Sequence, residues 1–377
     1  MKIEQRKWSE KEGWISSEAK ILSDANLVLA FGSRKAISMW ENSDYLKKIY
    51  PSAEILLAST SGEILNSYVI EDSIVATAIF FEKTNIKISS VQIDSMKTSF
   101  EAGKKLSDSF TSEGLVHLFV LSDGQKVNGS QLVKGLVRNL PKNVSVTGGL
   151  AGDGTNFKKT VVGLNSIPHE GTIAAVGFYG ENLQVGCGSM GGWDSFGPER
   201  LITRSNKNIL YELDGQSALA LYKKYLGDQA AGLPGTALLF PLSIRVNDEY
   251  EPVVRTILSV NENDQSLVFA GDMPEGAYAR LMKANFERLI DGAASSAEKS
   301  LPLGNVSPDL AILISCVGRK LVLGQRIYEE VESVKKILGS NTVITGFYSY
   351  GEISPLGGPE TCEFHNQTMT VTTFTEI

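Results

Sequence analysis

The 377-residue sequence is poor in the residues that bring covalent or metal chemistry. Its three cysteines, Cys187, Cys316 and Cys362, form no C-x-x-C pair, which argues against a disulfide framework and a structural zinc site. Three histidines, His117, His169 and His365, leave little material for a Ser-His-Asp or Cys-His arrangement, and neither is visible. Positive charge is in deficit: the formal net charge is −7 and the pI about 5.3. A nucleic-acid binder needs a basic face, so that class is set aside. No apolar run approaches the ~20 residues that cross a bilayer. The N-terminal "MKIEQRKWSEKEGW" is charged and does not read as a signal peptide, so a cytoplasmic protein with no metal is expected. What remains is ordinary globular composition, with 42% hydrophobic and 21% charged residues. At roughly 150 residues per domain, the length suits two or three domains, or two large ones.

Three segments share one grammar: residues 26–64, 115–154 and 309–353. Each reads as apolar strand, polar loop, helix, apolar strand and glycine-rich exit, the pattern of a βαβ unit. In the third, Ile327, Val331, Val334 and Leu338 mark one helix face. In the second, Leu132, Leu136 and Leu140 do the same before Pro141. "SIVATAIFFEKTNIKISSVQI", "GTIAAVGFYGENLQVGCGSM" and "VVRTILSVNENDQSLVFAGD" read as antiparallel hairpins, so the sheets are mixed. The expected fold is therefore α/β with mixed sheets, pseudo-repeated βαβ units and two related domains. The join is placed near Gly215, before a helix "QSALALYKKYLG" closed by Gly227.

Several motifs in order resemble the FIST-domain family. "VLSDG", "VTGGLAGDG", "AAVGFYG" and "GCGSMGGWDSFGPE" resemble its N-terminal domain, giving residues 25–215 after an extension of 1–24. "ELDGQSALALYKKYLG", "LVFAGDMPEGAYARLM", "SCVGRKLVLG", "GFYSYGEISP" and "CEFHNQTMTV" resemble the C-terminal domain, giving 216–377. The resemblance implies a bacterial intracellular sensory module rather than an enzyme. Its ligand would be a small polar molecule, with amino acids as one proposed class. Its partners would be a histidine kinase, a chemoreceptor or a cyclic-nucleotide enzyme. One subgroup of the family resembles haem-binding nitric-oxide sensors. No kinase or F-box segment is recognised, so a stand-alone protein is expected.

The exits carry the candidate chemistry. "YSYGEI" offers Tyr348, Ser349, Tyr350, Gly351 and Glu352, and "STSGEI" repeats its shape around Glu63. Glu352 suits an ammonium group, and Arg319 suits a carboxylate. Together they would grip a zwitterion, or they pair with each other to close the unit. Gly148, Gly149, Gly152 and Asp153 of "TGGLAGDG" form either a ligand wall or a structural turn. "GCGSMG" matches G-x-G-x-x-G, but "GWDSFGP" follows it and does not open a helix, so a dinucleotide site is not expected. Trp193 and Asp194 line a cleft between the halves or anchor their packing. His117, within "LVHLFVL", reads as a core residue; His365 or His169 would be the ligand if haem were bound. An enzyme on a small carbonyl or amide would draw on Cys362 or Glu352, and no catalytic set is assigned.

Overall fold

The computed structural model describes residues 1–16, 21–247, 251–302, 307–356 and 361–377. All three expected βαβ units form. Each supplies one parallel pair: Leu27–Ser33 with Glu54–Thr60, Leu115–Ser122 with Ser145–Leu150, and Leu310–Cys316 with Val343–Ser349. These strands are buried on both faces, which is why they read as continuous apolar runs rather than as alternation. The helix Ile327–Leu338 buries Val331, Val334 and Leu338, the face its spacing predicts. In the second unit the helix is Gly129–Val137; Leu140 lies beyond it, packed against the same core. Ala218–Leu226 is helical, and Gly227 stands at φ 55 as its C-cap, the left-handed conformation that favours glycine.

The sheets are assembled by exchange among the units. The exit strand of the first unit, Glu63–Leu65, pairs with Val343–Ser349 of the third. The exit of the third, Gly351–Pro355, pairs with Ser145–Leu150 of the second. After the second, Val162–Leu164 pairs with Glu54–Thr60 of the first. Three strands then repeat another role, each lying antiparallel on a unit's closing strand. They are Lys2–Ser9 on Ser73–Phe80, Asn85–Gln92 on Thr172–Tyr179, and Leu183–Met190 on Met369–Glu376. The body is thus a threefold pseudo-repeat of residues 1–80, 85–179 and 183–376. The inner faces of its three sheets meet in one core, holding Phe31, Phe119, Phe178, Phe347 and Phe374.

Two of the expected hairpins are not hairpins. Ser73–Phe80 and Asn85–Gln92 enter different sheets, as do Thr172–Tyr179 and Leu183–Met190. A short turn between apolar runs allows a corner between sheets as readily as a hairpin. The strands take the corner because each pairs within its own repeat, and the turn is where one repeat ends and the next begins. The third hairpin forms, with Ile257–Asn261 antiparallel to Ser266–Phe269.

A second domain is inserted in the third repeat. Between residues 194 and 283 the chain builds an eight-stranded antiparallel layer with its own core around Leu210, Tyr222, Leu267 and Phe269. Gly215 lies inside this layer, at φ 70 in the turn between Ile209–Leu213 and Gln216–Ser217. The result is a mixed-sheet α/β fold of two domains, with strands from both halves of the sequence sharing sheets.

Close packing of the exits requires glycine at Gly148. Its φ is 152, and a Cβ there would stand inside contact with the Val120 carbonyl. Gly148→Ala is expected to cost roughly 1–3 kcal/mol from overpacking, with ~1 more from the backbone. Thermal unfolding beside wild type measures it.

Candidate functional site

The three glycine-rich exits align as Thr60-Ser61-Gly62-Glu63, Leu150-Ala151-Gly152-Asp153 and Ser349-Tyr350-Gly351-Glu352. They interlock: Ser61 N donates to Tyr348 O at 2.8 Å, Gly152 N to Ser59 O at 2.9 Å and Tyr350 N to Leu150 O at 3.1 Å. Two of the acids are closed off by hydroxyls. Thr60 and Ser73 donate to Glu63 at 2.5 and 2.6 Å. Ser349 and Thr368 donate to Glu352 at 2.6 and 2.9 Å. Burial pushes Glu63 up to about 7 and Glu352 up to about 8, against the pull of these hydrogen bonds. Asp153 accepts from the Tyr350 hydroxyl and from the backbone N–H of Lys158 and Lys159.

Arg319 is not at the strand edge expected for it. It lies in the helix Val317–Leu323, fully buried, and its ion pair is with Glu330, Nη2 to Oε2 at 2.6 Å, rather than with Glu352. Its other donors go to the carbonyls of Gly191, Leu289 and Gln367. Glu330 was not singled out from the sequence; it sits on the helix whose neighbours Glu329 and Glu332 read as a solvated face. Tyr348 donates to the same carboxylate at 3.1 Å. Trp193 packs with Met282 and Leu289 and donates to Gln367 O at 2.9 Å. Asp194 pairs with Arg288 and accepts from Asn285. Gly149 abuts Ile314 and Phe347, and Gly152 abuts Ser61.

These residues converge on the turn 366–368. Gln367 O accepts from Trp193 and Arg319, Thr368 N and its hydroxyl donate to Glu352, and Cys316 N donates to Thr368 O at 3.1 Å. The turn is therefore braced from behind, and its Asn366 lines a cavity of about 430 Å3 at the junction of the two domains. On the body side the walls are Gly124, Val127, Leu150, Phe157, Tyr350 and Gly318; on the inserted layer they are Leu238, Thr256, Ile257, Leu258 and Phe269. Phe157 and Tyr350 stack with centroids 4.7 Å apart. Among the described residues lining the cavity none is charged. Arg255 ties the layer down beside it, donating to Phe364 O at 2.7 Å, while Asp272 accepts from Asn128 and Gln131.

Residues of the cavity wall carry buried polar atoms that are unpaired among the described residues. Asn366 is 1% exposed, yet neither its Nδ2 nor its Oδ1 has a partner among the described residues. Thr256 Oγ1 is also unpartnered. A buried polar group without a partner costs roughly 1–3 kcal/mol, so such atoms ask for an occupant. Sequence reasoning missed Asn366, Thr256 and Phe157. The one signal for Asn366 was its place in "HNQT" between two strands.

A second hollow of about 350 Å3 lies beyond the Tyr350–Asp153 contact. It gathers Arg34, Glu63, Asp72, Asp153 and Lys320, whose ammonium donates to Ser61 O at 2.6 Å and pairs with Glu71.

The histidines are placed as structural groups. His117 bonds Ser145 at 2.7 Å and Thr147 at 3.0 Å inside the central core, and burial lowers it to about 3. His365 Nε2 lies 3.1 Å from Ser354 O, and burial lowers this residue to about 4. His169 is exposed. Neither His365 nor His169 lines the two hollows, so these residues do not fit an axial haem ligand there. Burial pushes the Cys316 and Cys362 thiols up, the opposite of nucleophile activation. No helix among the described residues is long and apolar enough to cross a membrane.

Fold and cavity together define a two-domain α/β protein with an apolar hollow at the domain junction. The chain belongs to the FIST family: it matches the FIST N domain over residues 26–216 and the FIST C domain over 218–355. FIST domains are signal-transduction sensory domains. No curated protein matches the sequence. Among solved structures, the chain is similar to cyanuric acid hydrolase from A. caulinodans, at 7% identity and a TM-score of 0.33, over 94% of this chain and 91% of that one. A second cyanuric acid hydrolase structure gives 8% and 0.32 over 100% and 99%. Likenesses this distant carry no argument about chemistry.

Proposed function

We propose that this chain is a non-catalytic sensory module that binds a small polar but uncharged molecule in the junction cavity and passes its occupancy to a separate signalling protein. The observation that carries this reading is Asn366, buried and braced by the surrounding residues, with both ends of its amide unpaired at the cavity wall. The walls come from both domains, so an occupant would bear on how the inserted layer sits against the body. A histidine kinase, chemoreceptor or cyclic-nucleotide enzyme is the kind of partner the family suggests. A zwitterionic amino acid would enter this cavity without a counter-charge, at several kcal/mol per ion. The charged hollow around Lys320 is where it would find partners.

The test is a thermal-unfolding screen of neutral metabolites and amino acids against wild type and Asn366→Leu. A ligand at a hundredfold excess over Kd stabilises the folded state by about 2.7 kcal/mol. The expected result is a stabilising shift with a neutral compound that Asn366→Leu abolishes. An amino acid whose shift survives Asn366→Leu but not Lys320→Ala would move the site to the charged hollow. A shift with no compound would overturn the sensory reading.

A further inference from the structure

We infer that the occupant of the junction cavity is a planar molecule with an amide edge, a hydrogen-bond donor beside an acceptor, as in a lactam, a primary carboxamide or a pyrimidine-type ring. This rests on the cavity being the ligand site. A side-chain amide has an acceptor oxygen and two donor hydrogens. Among the described residues neither end of Asn366 is paired, at 1% exposure, so the deficit is two-sided. A ligand with a lone carbonyl would meet Nδ2 and leave Oδ1 dry. A lone donor would do the reverse. An amide edge meets both at once, its N–H donating to Oδ1 and its carbonyl accepting from Nδ2, the geometry by which asparagine reads the edge of adenine. Thr256 Oγ1, also unpartnered on the opposite domain, supplies a third polar contact.

The rest of the wall sets the body of the ligand. No described lining residue is charged, and the buried ions beside the wall are already occupied: Asp153 by Tyr350, Lys158 and Lys159, Arg255 by the carbonyls of Phe364 and Asp272. A net charge would therefore be desolvated without compensation. The stacked Phe157 and Tyr350 rings, inclined by 17°, and the aliphatic Ile257 and Leu258 form flat apolar surfaces suited to a planar ring.

The experiment titrates the full chain, by ligand-observed NMR and thermal unfolding, with 2-pyridone, N-methyl-2-pyridone and benzoate. The first has the amide edge, the second keeps the ring and carbonyl but loses the N–H, and the third adds charge. The expected result is binding of 2-pyridone at least about tenfold tighter than either other probe. That preference should vanish in Asn366→Leu and shrink in Thr256→Val. Equal binding of 2-pyridone and its N-methyl form would overturn the amide assignment while keeping the cavity as a ligand site. A preference that survives Asn366→Leu would also overturn the assignment. Binding of none of the three would overturn both readings and leave the polar atoms to ordered water. If Asn366→Leu does not fold, the two pyridones on wild type still decide the question.

Discussion

Glu330→Gln is expected to destabilise the protein by about 3–5 kcal/mol, the cost of leaving a buried guanidinium without its counter-charge. Arg319 and Glu330 are both fully buried. The pair is not a surface ion pair worth ~1 kcal/mol or less. Its carboxylate also accepts from Ser315 at 2.9 Å and Tyr348 at 3.1 Å. Its guanidinium donates to Leu289 at 2.7 Å on one helix, to Gly191 near the start of the inserted layer, and to Gln367 beside Asn366. One charge pair therefore fixes three segments that meet behind the cavity. Urea unfolding measures the effect as a lower midpoint at unchanged slope. Arg319→Met combined with Glu330→Leu should recover part of the loss, because no charge is then buried alone. A loss under 1 kcal/mol for Glu330→Gln would show that water reaches the pair. The same variant should weaken ligand binding less than Asn366→Leu does, since Arg319 and Glu330 do not line the cavity and act on it through the turn and the helix Val317–Leu323.

The second large effect is on pH. Glu63 and Glu352 have folded values raised to about 7 and 8 by burial. The native state then holds protons that the unfolded chain releases near 4.5. Their stabilisation is complete below that value and is lost as pH rises through 7 and 8. His117 and His365 run the other way. Burial lowers them to about 3 and 4, so their contribution is present above 6.5 and lost as pH falls. Between about 4.5 and 6.5 the two pairs oppose each other. Above 6.5 only the acids titrate. The stability of wild type is therefore expected to be nearly level from pH 4.5 to 6.5 and to fall by a few kcal/mol from 6.5 to 8.5. Glu352→Gln should remove the larger share of that fall, and Glu63→Gln a smaller share. A wild-type midpoint that stays constant from pH 6.5 to 8.5 would show that both acids are ionised at neutral pH in the native state.

What could be read from the sequence had local causes. The βαβ grammar, the helix face Val331, Val334 and Leu338, the Gly227 cap and the His117 core position follow from periodicity, capping and apolar surroundings. The repeat of hydroxyl, glycine and acid at Glu63 and Glu352 was also visible, because the same exit is built more than once. The ionisation of those acids was not visible, since it depends on burial, which only the assembled sheets provide. Glu330 was hidden because it stands between Glu329 and Glu332, and only packing turns it inward.

Sequence alone determined the elements of this protein and the chemistry at their ends. Tertiary structure decided which strands are neighbours, that Arg319 belongs to Glu330, and that Asn366 lines a cavity with its amide unpaired among the described residues. The reason is physical. A strand buried on both faces carries no mark of the strand beside it, because backbone hydrogen bonds are the same for every partner. Pairing is settled by how three sheets and an inserted layer fill space together. An unpaired amide exists only once that packing has closed around it.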